Sequence, residues 1–88
     1  MESGTLTADG STGVLKGSGV LVQCLFKGAF GGGIVELEVS QDNGITWYST
    51  GDKFNADASF LLDPFKGKYK FTLSGAVSPS ISYVIGGA

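Results

Sequence analysis

Catalysis needs groups that carry protons, electron pairs or metals, and this chain has few of them. Its 88 residues include six Lys but no Arg, eight Asp and Glu, no His and one Cys. Without His, neither a Ser-His nor a Cys-His nucleophile pair can be built. A zinc site would have to rely on Cys24 and carboxylates, which fits neither the structural nor the catalytic pattern. Asp42-Asn43-Gly44 opens like a calcium loop, but Ile45, Thr46 and Trp47 fill the next ligand positions and no Glu closes it. Glu36 and Glu38 sit two apart, so on a strand they share one face at roughly 7 Å. That spacing superficially suits a glycosidase pair. It is also the ordinary solvent side of a strand, and the alternation around the two residues favours that reading. Trp47 and Tyr48 are candidates for a sugar-stacking platform. Strand alternation points them to opposite faces, so at least one is expected in the core. The expectation is a non-enzymatic protein with no catalytic residues, no metal and no cofactor.

The element that would carry these residues is centred on Ser40-Gln41-Asp42-Asn43-Gly44-Ile45-Thr46-Trp47. Asn-Gly is the strongest short hairpin signal, because the favoured two-residue turn needs positive φ at both central positions. Before it, Val35, Leu37 and Val39 alternate with Glu36, Glu38 and Ser40. After it, Ile45 to Thr50 is β-branched and aromatic. The spacing predicts an antiparallel hairpin pairing Val35–Ser40 with Ile45–Thr50. Asp42 can bond the turn amides and Trp47 can fold its ring beneath them.

The rest of the chain also reads as strands. Thr5–Ala8 is a short first strand, Asp9-Gly10-Ser11 a turn, and Gly13–Lys16 a second short strand or an irregular edge. In the apolar run Val20–Phe26, the residues Val20, Val22, Cys24 and Phe26 share one face, with Leu21 and Leu25 on the other. Apolar residues on both faces predict cover from both sides. Gly28–Gly33 reads as a glycine-rich hairpin loop. No Lys-Ser/Thr pair or helix follows it, so it is not a phosphate cradle. Phe30 in that loop either tucks into the core or is presented to a partner. Gly51–Asn55 is a connector, and Ala58–Leu62 is a strand stopped by Asp63-Pro64. Phe65-Lys66-Gly67 turns the chain into Lys68–Leu73, which has Tyr69, Phe71 and Leu73 inward and Lys68, Lys70 and Thr72 outward. Ser74–Ser80 is a loop, Ile81–Ile85 the last strand, and Gly86-Gly87-Ala88 a tail. No window has helical spacing. Seven or eight short strands between turns predict an all-β fold, one antiparallel β-sandwich domain over residues 1–88, with a small β-barrel as the alternative.

Composition narrows the partners. A net charge of −2 with no Arg argues against nucleic acid. No run is long enough for a membrane span. One Cys permits no intrachain disulfide. Met1-Glu2-Ser3-Gly4 is acidic and polar, unlike a signal peptide, so synthesis in a cytoplasm is expected. A domain this small buries only about 60–65% of its unfolded surface, so association between copies would add burial. Phe30, Leu21, Leu25 and Val84 are the candidate partner contacts, and Asp42, Asn43, Gly44, Thr46 and Trp47 the structural turn.

Ser40-x-Asp42-x-Gly44-x-Thr46-Trp47 resembles the Asp-box hairpin of sialidase-like propellers, a turn motif remote from their catalytic residues. One copy cannot build a propeller, so no sialidase activity is implied. Over most of its length the chain resembles the small β-sandwich proteins of tailed-bacteriophage virions. The resemblance rests on Thr5–Gly10, Gly31–Gly33, Val35–Trp47 and Gly67–Ala76. It implies a capsid decoration (cement) protein, or a tail or fibre component. It also implies a virion location, the major capsid protein or other virion subunits as partners, and a homo-oligomer, with three copies as at threefold capsid positions. A carbohydrate-binding module using Trp47 or Tyr48 is the reading of a different class.

Overall fold

The computed structural model describes residues 2–19, 21–62 and 66–87. Nine strands follow in order: β1 (Glu2–Leu6), β2 (Gly10–Ser11), β3 (Leu15–Ser18), β4 (Val22–Ala29), β5 (Ile34–Ser40), β6 (Tyr48–Phe54), β7 (Ala58–Leu62), β8 (Lys66–Ser74) and β9 (Ser80–Gly87). They form two antiparallel sheets packed as a sandwich, and the described residues contain no helix. One sheet has the order β1-β9-β4-β7. The other runs β2-β8-β5-β6, with β3 also paired to β8.

Alternation sets the inner faces. Val35, Leu37, Tyr69, Phe71 and Leu73 project inward from β5 and β8, and Cys24, Phe26, Ile81, Tyr83 and Ile85 from β4 and β9. Phe26 lies at the centre of the core, with ring centroids 4.9 Å from both Phe54 and Phe71. Such tilted aromatic pairs add about 0.5–1.5 kcal/mol each beyond the area they bury. Burial of the Cys24 side chain pushes its thiol pKa up to about 11, which keeps it protonated and unreactive.

The sandwich, the Ala58–Leu62 strand and the inward set of β8 match the sequence pattern, whereas several boundaries move. Gly10–Ser11 is not a free turn but pairs with Leu73 and Thr72. Thr12 then extends the ladder with its side chain. Its amide donates to Phe71 O (2.9 Å), and the Phe71 amide donates to Thr12 Oγ1 (3.1 Å). Strand β4 runs on through Gly28 to Ala29. A Cβ at Gly28 would fall 2.1 Å from Ser80 O, so only glycine lets β9 approach there. Gly51–Asn55 is no connector, because β6 extends through Phe54 as an edge strand. Its pairing with β5 shifts register between Glu36 and Glu38. Its polar composition suits an exposed edge, and pairing overrides weak β-propensity. Gly86 belongs to β9, and not to a tail. The expected positions of Met1, Val20, Asp63, Pro64, Phe65 and Ala88 lie outside the described residues.

Candidate functional site

The Ser40–Trp47 segment is a hydrogen-bonded loop, wider than the two-residue turn expected. Strand β6 begins at Tyr48, opposite Val39, and Ile45 is exposed. The physical cause is side-chain bonding within the loop. Buried Ser40 accepts the Gly44 amide at Oγ (2.8 Å) and donates to Asp42 Oδ1 (2.8 Å). The same carboxylate oxygen accepts the Thr46 amide (2.8 Å). Asn43 and Gly44 both have positive φ, 66° and 88°, as the Asn-Gly pair predicts. Hydrogen bonds from the Thr46 side chain and amide, and from Ser40, hold the Asp42 carboxyl down to about 2. The Trp47 ring lies against Gly44, where an added Cβ would be 3.7 Å from it, and Lys70 Nζ stands 4.5 Å from the ring centroid. Asp42, Asn43, Gly44, Thr46 and Trp47 are therefore brought together as one structural unit. Trp47 is half-buried and Tyr48 is 64% exposed, so neither joins the core as alternation required of one of them.

Other carboxylates also serve the backbone. Asp9 accepts the Gly75 and Ala76 amides (3.0 and 2.9 Å), and Asp57 accepts the Gly28 amide (3.0 Å). Glu38 accepts the Thr72 hydroxyl. Glu36 and Glu38 lie on the outer face of β5, opposite Thr72 and Lys70 of β8. Among the described residues no group of three or more His, Cys, Asp or Glu is placed to hold a metal.

The candidate partner contacts divide. Phe30 is a correction: it is only 6% exposed and packs at 6.1 Å from the Phe54 ring. Its loop is pinned from both sides, since the Gly33 amide donates to Phe30 O and the Val77 amide to Gly31 O, both at 2.9 Å. The ring therefore turns inward and is not presented. Leu25 and Val84 are direct cross-strand neighbours on the outer face of the four-stranded sheet, each 38% exposed, and Leu21 is exposed just before β4.

Sequence reasoning missed Leu61, which stands opposite Gln23 on that same face and is 59% exposed. In Phe60-Leu61-Leu62 the apolar run hides which residue faces out. Only the β4–β7 register resolves it. Around Leu25 and Val84 the surface dips into a shallow depression of about 500 Å³, bordered also by Lys27, Asp57, Ser59 and Ser82. The outer face of the other sheet is different. It carries Lys16, Lys68 and Lys70 beside Glu36, Glu38 and Lys53. One broad face is thus densely charged, and the other has an apolar centre bordered by Lys27 and Asp57. Compared with protein-family models, curated proteins and solved structures, the chain matches none.

Proposed function

We propose that this protein is a non-enzymatic structural subunit of a phage virion, a capsid decoration or cement protein. It acts as a self-associating oligomer that ties neighbouring shell subunits together. The observation that carries the reading is the outer face of the four-stranded sheet. Leu25, Val84 and Leu61 form an apolar row there, with Lys27 and Asp57 at its border, while the opposite face of the sandwich carries many more charges. Such a face suits burial against a repeated surface, and many copies add weak contacts by multivalency. The carboxylates bound to backbone amides fit a structural role. The virion resemblance supplies the assembly. A tail or fibre location is the near alternative. Tyr48, exposed beside Trp47, favours a carbohydrate-binding module as the distant one.

The test is co-sedimentation with undecorated phage shells. Binding at saturating, capsid-like copy number, lost in Leu25→Asp and Val84→Asp variants that keep the wild-type melting curve, is the expected outcome. A protein that stays in the supernatant but binds a glycan array through Tyr48 belongs to the binding-module class instead.

A further inference from the structure

The two sheets present four kinds of edge to solvent, and three are guarded. At β1, Glu2 lies opposite Ile85 and so places a charge on the inward side. Strands β2 and β3 are only two and four residues long, and β3 contains Lys16. Strand β6 carries Asp52, Lys53 and a register shift against β5. Short strands, charges, inward charges and bulges are the devices that stop edge-to-edge pairing. Strand β7 has none of them. Ala58-Ser59-Phe60-Leu61-Leu62 is uncharged, free of glycine and proline, and in unbroken register with β4. It ends its sheet, so among the described residues no strand lies beside one side of its backbone.

A second observation falls on the same flank. Between β6 and β7 the sandwich is open, and an apolar cleft of about 530 Å³ reaches the core. Leu37 and Phe71 line it, with Val39, Phe54, Phe60 and Leu62. Leu37 and Phe71 are buried and form its floor, whereas Val39, Phe54, Phe60 and Leu62 are only partly buried, so it is the apolar rim of the core that is left uncovered on this flank.

We infer that a second copy of this chain closes this flank, with β7 pairing antiparallel to β7 of its partner about a twofold axis. Pairing continues the four-stranded sheet into one of eight strands. A twofold axis perpendicular to the sheet keeps the inner face inward in both copies, so each partner's β7 sets its own Phe60 side over the shared opening. The two clefts then face one another as a single apolar interior. The strand is compatible with itself because Ala58–Leu62 is uncharged, so no like charges meet across those five positions. The β6 flank adds Asp52 and Lys53, one charge of each sign, and Asp57 is bonded to the Gly28 amide. On the outer face, Leu61 of each copy extends the apolar row begun by Leu25 and Val84. The inference rests on the self-association in the proposed function and names its contact. It makes the basic unit a dimer, where the virion resemblance implies three copies.

The experiment is light scattering after size exclusion over a range of concentrations, coupled to amide hydrogen exchange of residues 58–62. The expected result is a concentration-dependent dimer in which these amides gain protection as it forms. Leu61→Lys and Ser59→Lys replace exposed side chains, so the fold should persist while the dimer is lost. A monomer at all concentrations overturns the inference. So does an oligomer that survives both lysine variants, or one in which residues 58–62 exchange as fast as in the monomer. The shell co-sedimentation reports separately. A monomer that decorates shells removes only the dimer, and a β7-paired dimer that ignores shells removes only the virion role.

Discussion

The loop after β4 and the loop after β5 each place glycine beside an aromatic residue, yet they are held by opposite means. Residues 30–33 are held by packing, with Phe30 buried against Phe54 and two backbone bonds fixing the entry. Residues 41–47 are held by polar bonds from Ser40 and Asp42, and their aromatic, Trp47, stays half-buried at the surface. An aromatic in a glycine loop is therefore not by itself a binding feature. Whether it turns in depends on whether the core has room beside it, and here the core beside β6 has room.

The largest expected effect breaks the packed loop. Phe30→Ala should cost about 3–5 kcal/mol in urea unfolding, the range for removing a buried Phe. Phe30→Asp should cost at least as much, since a carboxylate would be driven into an apolar site. If Phe30→Asp left the unfolding midpoint unchanged, the ring would have to be a surface feature after all.

A smaller effect is expected in the polar loop. Gly44→Val places a β-branched residue at φ 88°, and should destabilise by about 1–3 kcal/mol through backbone strain. Gly44→Asn, which tolerates that conformation, should recover much of the loss. Equal melting temperatures for the Val and Asn variants would show that the loop relaxes to another turn.

The smallest effect separates the two loops by pH. The Asp42 carboxyl is held at about 2, below its usual value, by bonds that favour its charged form. Its contribution is therefore fully present above the unfolded value of about 4 and is lost as pH falls towards 2. In acid, the Thr46 amide should lose exchange protection before the Gly33 amide does. Asp42→Asn should remove that part of the acid dependence. Simultaneous loss of both amides would mean the loops open only with the whole domain.

The amino-acid sequence alone carries the all-β class, the inward residues of β5 and β8, and the left-handed backbone at Asn43-Gly44. These follow from alternation and from local sterics, which a few neighbouring residues specify. It also exposed Leu25 and Val84 as apolar residues left over on the outer side of their strands. Tertiary structure decided the rest. It made Gly51–Phe54 a strand by laying it beside β5, and it turned Phe30 inward through bonds to the segment around Val77. It also chose Leu61 as the outward member of an apolar run, and left β7 at a sheet edge beside an open cleft. Which strand lies next to which is a pairing between distant residues, and periodicity along one strand carries no record of its neighbour.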